Sequence, residues 1–253
     1  TALYMPAPPK ALSAREVQLC KLRMRIGGRY FWVCHSFGHW PQKFLAEHPE
    51  WFAQGYEHPS QPCYTNPGAL DQITREAEAW FNREGNPASW DPRDVFGIVP
   101  SDDANWCQCD ACNALREDPE PGNQQFNNRQ ASRYVWGCVN EVARRVQASH
   151  PDEWIGALAY WEYAYWPEGI DLAPNVWVQT CLHTRNWWSP SMEANDRRVL
   201  SEWRNNRPGK PLYVWLYYNF PALNAQSEDF GYFPGFNGHQ VVEQMALYRE
   251  NDV

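Results

Sequence analysis

Residues 95–112 read VFGIVPSDDANWCQCDAC, five apolar residues that predict a buried strand, followed by a polar loop with two adjacent acids and three cysteines. Comparable apolar runs follow at 154–160, 176–181 and 212–218. Helices are predicted between them, most clearly at 132–149, where valines recur on one face. Strands that are apolar throughout and alternate with helices are typical of a parallel sheet covered on both faces. The sequence therefore predicts an α/β fold.

Two shorter runs, 30–35 and 63–65, raise the number of predicted strands to six. Polar side chains follow strand after strand, as they do in a (β/α)8 TIM barrel, where they form the site at the carboxyl ends of the strands. A doubly wound sheet also fits the alternation, but it would normally have a Gly-rich turn after its first strand, and none is present. The barrel is therefore the preferred architecture.

Six strands do not close a barrel of eight, so we expect this chain to be an incomplete barrel segment of a longer protein. The gap should lie between the predicted strands at 30–35 and 212–218. Residues 1–22 are expected to form an extended lead-in and a first helix, and residues 23–253 the partial barrel. The flanking parts of the parent chain are the partners that this organisation requires.

Composition excludes several classes of function. The chain has 253 residues with 22 Lys and Arg against 30 Asp and Glu, which gives a formal net charge of -8. That charge argues against sequence-independent binding of nucleic acid, and no apolar run is long enough to cross a membrane. Fifteen tryptophans are the unusual feature. They are either bulky core residues or flat surfaces that bind a sugar, which is apolar on its faces and hydroxylated at its rim.

The cysteines of the polar loop predict a metal site. Cys107, Cys109 and Cys112 form C-x-C-x-x-C, and Cys63 is the best candidate for the fourth ligand of one structural Zn²⁺, with His35 or His39 as substitutes. A disulfide between Cys63 and one of the three, or free thiols, are the alternatives. The remaining cysteines fall in helix or strand patterns and are expected to be small buried apolar residues.

Three acids are candidates for catalysis. Asp102 and Asp103 follow a buried strand, and hydrolysis of a glycosidic bond needs one carboxyl group as proton donor and a second group near the anomeric carbon. One of the two could instead cap the following loop. Glu162 follows the next strand among aromatic residues, which would desolvate a carboxylate and favour a general acid. It could also bind hydroxyl groups or be a solvated loop residue.

The candidate substrate-binding residues are polar or aromatic and lie near predicted strand ends. Each histidine among them is either a hydrogen-bonding contact to a sugar or a satisfied core residue. The set consists of His35, His39, Trp40, Asn66, Tyr160, Trp161, His183, Arg185, Tyr218 and Asn219.

Several segments together resemble a known family. HSFGHWPQKFLAEHPEWFA, QPCYTNPGAL, VFGIVPSDDANWCQCDACNAL, ALAYWEYAYWPEGIDLAPNVWVQ and PLYVWLYYNFP are similar to the central domain of large bacterial proteins called DUF4838. The similarity runs from about residue 23 to the end. Its most specific part is the acidic loop with SDD and the three cysteines.

The resemblance implies a glycoside-hydrolase-like TIM barrel, loosely similar to α-glucuronidases, in an extracellular or periplasmic protein. On this basis we expect a domain that hydrolyses a polysaccharide or oligosaccharide by carboxylate acid/base chemistry. The alternatives are a non-catalytic carbohydrate-binding barrel and a scaffold domain of a larger extracellular protein.

Overall fold

The computed structural model describes residues 13–23, 33–84, 94–121, 123, 125–217, 238–251 and 253. The chain divides into two compact units, residues 1–32 and 33–253. In the first unit, helix α1 spans Ala14–Arg23. Its start is fixed by a capping box, because the backbone N–H of Ser13 donates to the Glu16 carboxylate at 2.7 Å and the Ser13 hydroxyl accepts from the Glu16 N–H at 3.3 Å.

The second unit is built on a parallel sheet. Its strands are β1 (Val95–Gly97), β2 (Trp154–Ala159), β3 (Val176–Leu182) and β4 (Leu212–Leu216). Each pairs in parallel with the next, so the order in the sheet is the order along the chain. The α/β class and the four longer predicted strands are thus confirmed, and the polar segments after these strands meet at one edge.

The sheet is open within the described residues, and its four parallel strands do not confirm the TIM-barrel architecture expected from the sequence. Two predicted strands are wrong where they can be checked. Residues 63–65 form a turn, closed by a 3.0 Å hydrogen bond from the Asn66 N–H to the Cys63 carbonyl. Pro62 has no N–H to pair with a neighbouring strand, and a helix begins at Pro67, so no parallel strand fits between them.

The predicted strand at 30–35 lies partly outside the described residues, since these begin again at Val33. Residues Val33 to His35 are not a strand. At the edge of β1 that faces away from β2, the hydroxyl of Ser36 makes hydrogen bonds to the backbone in place of a neighbouring strand. This hydroxyl lies 2.8 Å from the Gly97 carbonyl and accepts the Val99 N–H at 3.1 Å. A side chain therefore satisfies backbone groups that a neighbouring strand would otherwise pair.

The described helices of the second unit are α2 (Trp40–Phe44), α3 (Pro67–Phe81), α4 (Asp110–Asn113), α5 (Ser132–Gln147), α6 (Pro190–Asn206) and α7 (Gly238–Glu250). The helix predicted at 132–149 is confirmed as α5, and its valine face is buried against the sheet and against α3. Asn66 caps α3 by accepting the Ala69 N–H at 3.0 Å, and Pro67 occupies the first helical position, where its missing N–H has no cost.

The tryptophans differ in burial. Trp40, Trp106, Trp136 and Trp203 are fully buried core residues, whereas Trp188 is 81% exposed. Among the described helices, none combines the length and apolar character that a membrane span requires.

Candidate functional site

The carboxyl edge of the sheet brings together polar residues from all four strand ends. Asp102 follows β1, Tyr160 follows β2, His183 follows β3 and Tyr217 follows β4. The Tyr160 hydroxyl donates to Asp102 Oδ1 at 3.1 Å, and the rings of His183 and Tyr217 stack with centroids 5.3 Å apart. This convergence follows from the parallel strands, whose carboxyl ends share one edge.

Asp102 is the exposed acid of this edge. Its side chain is 60% exposed, and its Oδ2 atom lies 4.0 Å from Nε2 of His35. His35 is oriented from its other side, where Nδ1 lies 2.6 Å from the Pro100 carbonyl. Burial raises the pKa of Tyr160, and the neighbouring Asp102 carboxylate raises it further. Tyr160 therefore stays protonated and acts as a hydrogen-bond donor to Asp102.

Asp103 has a different environment from its neighbour. Its Oδ1 atom accepts the Asn105 N–H at 3.0 Å and lies 3.4 Å from the side-chain nitrogen of buried Gln61. This is the loop-capping arrangement that the sequence left open for one of the two acids. Asp103 holds the shape of the loop that carries Asp102.

Glu162 lies in a short 3-10 turn, Trp161–Tyr163, directly after β2. Trp161 has a φ of 51°, which is unusual for a residue with a side chain. The Glu162 carbonyl accepts the Ala131 N–H at 2.7 Å, and its Oε2 atom accepts the indole N–H of Trp106 at 2.5 Å. Backbone and side chain of this acid are therefore both held by neighbouring segments.

Phe126 completes an aromatic wall next to the acids, and the sequence analysis missed it. Its ring contacts Tyr160 at a centroid distance of 5.3 Å, His183 at 4.9 Å and Trp161 at 6.2 Å, and Phe126 is 39% exposed. The available signal was an isolated aromatic residue in the polar stretch 123–130. These rings form a surface suited to the apolar face of a sugar.

Asp196 of α6 was also missed, because it lies within a helix pattern. It is completely buried and accepts two short hydrogen bonds, from the His183 N–H at 2.6 Å and from the Trp187 indole N–H at 2.7 Å. His183 Nδ1 lies 3.7 Å from its other oxygen. Asp196 thus orients His183. Arg185, which follows in the same turn, donates its backbone N–H to the Tyr217 carbonyl at 3.3 Å.

Other predicted binding residues lie elsewhere. Trp40 is buried, and its indole N–H donates to Glu76 of α3 at 3.0 Å, while His39 lies 3.8 Å from the same carboxylate. Asn66 uses its side chain to cap α3 and to donate to the Glu50 carbonyl at 2.9 Å. The structure does not bring these three residues to Asp102. Tyr218 and Asn219 lie outside the described residues.

The four predicted cysteine ligands do converge. The Sγ atoms of Cys63, Cys107, Cys109 and Cys112 all lie within 4.8 Å of one another. Cys63 Sγ is 3.6 Å from Cys112 Sγ and 3.9 Å from Cys109 Sγ. These separations exceed the roughly 2.05 Å of a disulfide bond, and all four cysteines are free. The disulfide alternative is therefore not what the structure contains.

The chemistry of the cluster suits a cation. Hydrogen bonding from Cys112 lowers the pKa of the Cys63 thiol to about 4, whereas burial raises the pKa of Cys107 to about 11. Cys63 is thus the favoured thiolate, and the hydrogen bond that Cys112 shares with it raises the pKa of Cys112. Neighbouring polar groups hold two of the sulfur atoms in position. The Gln54 N–H donates to Cys107 Sγ at 3.3 Å, and the Thr65 hydroxyl lies 3.1 Å from Cys112 Sγ. These four cysteines could hold a metal ion.

A sequence profile described as "Domain of unknown function (DUF4838)" matches residues 13–233, most of the chain. The chain belongs to the DUF4838 family. The matched part of this DUF4838 chain includes the four cysteines, the candidate acids and all four strands. Searches of curated proteins and of solved structures found no match.

Proposed function

We propose that this DUF4838 chain hydrolyses glycosidic bonds of a polysaccharide or oligosaccharide bound at the carboxyl edge of the sheet. The observation that carries the proposal is the environment of Asp102. Its exposed carboxylate accepts a hydrogen bond from Tyr160, faces His35 and lies beside the aromatic wall of Phe126 and Trp161. A carboxyl group next to flat rings is the combination that sugar-cleaving sites use.

In this proposal Asp102 and Glu162 have separate roles. Asp102, which is accessible, in its protonated form gives its proton to the glycosidic oxygen as the bond to the anomeric carbon breaks, and the water that attacks this carbon returns a proton to Asp102. Glu162, which Trp106 and the backbone hold in place, stabilises the positive charge that develops at the anomeric carbon. Tyr160 holds one oxygen of Asp102 by its hydrogen bond and so leaves the other oxygen for the substrate. Asp103 shapes the loop and does not react.

A non-catalytic carbohydrate-binding site is the second candidate. It is favoured by the fact that Asp103 and Glu162 each use an oxygen in a hydrogen bond to the protein itself, which leaves Asp102 as the most accessible of the three acids. The aromatic wall would then bind glycan without cleaving it.

Hydrolysis of a panel of aryl-glycosides and polysaccharides, with binding measured in parallel, tests both candidates. Asp102→Asn should lower turnover by about 100-fold to 10,000-fold. Asp152→Asn is the matched control, because Asp152 is exposed at the opposite, amino end of β2, and it should match the wild type. Binding without hydrolysis would select the second candidate. Hydrolysis that Asp102→Asn leaves unchanged would overturn the catalytic assignment.

We further propose that the four-cysteine cluster binds one structural Zn²⁺. Tetrahedral zinc with sulfur at about 2.3 Å places its ligands about 3.8 Å apart, and the Cys63 Sγ atom lies 3.6 Å from that of Cys112 and 3.9 Å from that of Cys109. Four thiolates leave no open position for a reacting water, so the ion would stabilise the fold and take no part in hydrolysis.

Elemental analysis of protein purified without chelator tests the zinc proposal. One equivalent of zinc is expected, and Cys109→Ser should lower the zinc content. Cys20→Ser, outside the cluster, should keep it. Less than about 0.2 equivalents of zinc per chain in the wild type, or equal zinc content in Cys109→Ser and Cys20→Ser, would overturn the proposal.

A further inference from the structure

Trp106 connects the cysteine cluster with the candidate acid Glu162. It directly precedes Cys107 in the chain, and both residues are buried, at 1% and 0% exposure. On its other side the Trp106 indole N–H donates to Glu162 Oε2 at 2.5 Å. A single residue therefore links a ligand of the cluster to a carboxylate of the carbohydrate site.

The backbone around Trp106 is fixed by the loop that also supplies Cys63. The Tyr56 hydroxyl donates to the Trp106 carbonyl at 3.0 Å, and the Gln108 N–H donates to the Gln54 carbonyl at 3.0 Å. A metal ion bound by Cys63 and Cys107 would tie this loop to the loop of Trp106 at a point between these hydrogen bonds. Metal binding thus acts on the backbone from which the indole projects.

The indole is also confined by neighbouring rings. Trp106 lies edge-on to Tyr134 at 5.8 Å and to Tyr163 at 6.1 Å, each with an interplanar angle near 90°. Because protein interiors are closely packed, a shift of the Trp106 backbone moves the indole N–H relative to Glu162 and cannot be absorbed by free rotation of the ring.

We propose that metal binding at the four cysteines positions the carboxylate of Glu162 through Trp106. Trp106 is a positioning residue in this scheme and does not contact the substrate. This coupling rests on the proposed zinc site, which elemental analysis tests separately, but not on the proposed hydrolysis, so it can be measured without any sugar.

The indole N–H resonances of protein labelled at its tryptophans report on this coupling. Trp106→Phe and Glu162→Gln identify the Trp106 resonance. Removing the metal with a chelator should shift or broaden that resonance, and adding Zn²⁺ should restore it. Trp187 is the internal control, since its indole N–H donates at 2.7 Å to Asp196 of α6, which takes no part in the hydrogen bonds and ring contacts of Trp106 described above, and its resonance should stay. An unchanged Trp106 resonance in metal-free protein would overturn the proposal.

A reciprocal measurement covers the case in which metal removal unfolds the chain. Coupling between two sites acts equally in both directions, so breaking the Glu162 contact must weaken metal binding. Competition with a coloured chelator should show a roughly threefold to tenfold lower zinc affinity for Glu162→Leu, which has no acceptor for the Trp106 indole N–H, and Asp152→Asn should match the wild type. Equal affinities of Glu162→Leu and the wild type would overturn the proposal, whether or not the protein cleaves a glycan.

Discussion

At the scale of single residues, buried hydrogen bonds to carboxylates determine the geometry of the site. Asp196 fixes His183, Trp106 fixes Glu162, and Asp103 fixes the loop of Asp102. The contacts of Asp196 and Trp106 join different segments of the chain, whereas Asp103 acts within its own loop. Asp102 and Asp103 are adjacent in the sequence but have different hydrogen-bond partners. Asp103 accepts the Asn105 N–H and shapes the loop, whereas Asp102 accepts the Tyr160 hydroxyl and is exposed.

Asp196→Asn should destabilise the protein by about 2 to 3 kcal/mol, because hydrogen bonds to a charged acceptor are lost and an amide N–H is placed against buried donors. Both the His183 N–H and the Trp187 indole N–H point at this side chain. Urea denaturation at pH 7 measures the change, and Asp152→Asn, which is exposed, should lie within about 0.5 kcal/mol of the wild type. Equal stability of the two variants would contradict the assigned role of Asp196.

Glu153 gives a pH-dependent prediction. One of its oxygens is buried with no hydrogen-bond partner among the described residues, and burial, followed by the charge of Asp94, raises the pKa of Glu153. The folded state then binds the proton more tightly than the unfolded state. The ionised carboxylate therefore destabilises the fold at neutral pH, and this penalty disappears below the unfolded pKa of about 4.3.

Glu153→Gln is accordingly expected to raise Tm at pH 7 and to leave it nearly unchanged at a pH of about 3.5. Thermal unfolding at both pH values checks this. The same gain at both pH values would show that packing, and not ionisation, is responsible.

At the scale of secondary-structure elements, close packing around β2 explains why a glycine lies in a buried strand. A Cβ atom at Gly156 would lie 2.8 Å from Val95 Cγ1 and 3.1 Å from both Val33 Cγ2 and Trp177 Cε3. Segment 33–36, strand β1 and strand β3 therefore approach β2 closely at this point.

Gly156→Ala should destabilise the protein by about 1 to 3 kcal/mol through overpacking. Gly137→Ala is the matched control, because its nearest contact would be Ile170 Cδ1 at 3.8 Å and alanine favours the helix α5 by about 0.5 to 1 kcal/mol. Chemical denaturation of both variants should give changes of opposite sign. A stabilising Gly156→Ala would contradict the packing described here.

The cap of α3 is a second prediction at this scale. Asn66→Ala removes the acceptor of the Ala69 N–H and the donor to the Glu50 carbonyl, and should cost about 1 to 2 kcal/mol. Asn66→Asp keeps the acceptor and should recover part of the loss in the same urea titration. No difference between the Ala and Asp variants would mean that capping contributes little.

At the scale of the whole molecule, local sequence patterns predicted most of the helices and strands. Contacts between segments that are distant in the sequence determine the site and the closure of the sheet. The apolar runs predicted β1 to β4, and the recurring valines predicted α5, because these signals lie within a few residues. The C-x-C-x-x-C spacing predicted three converging cysteines, and the structure brings Cys63, the preferred fourth ligand, to Cys107, Cys109 and Cys112.

The errors have a common physical origin. The run at 63–65 looked like a strand but forms a turn, because Pro62 and the hydrogen bond from the Asn66 N–H to the Cys63 carbonyl determine its backbone. Phe126 and Asp196 were missed because their importance comes from partners in other segments, such as His183. Sheet closure likewise depends on pairing between strands that no local pattern specifies.

Hydrogen exchange with and without the best-binding glycan of the panel tests the central claim, that the carboxyl edge of the sheet is a carbohydrate site. The account predicts protection in segments 100–105, 160–163 and 183–187, which carry Asp102, Glu162 and His183. It predicts no change in α3, where His39 and Trp40 contact Glu76. Protection confined to α3 or to the amino end of the sheet, or a panel in which no glycan binds, would contradict it.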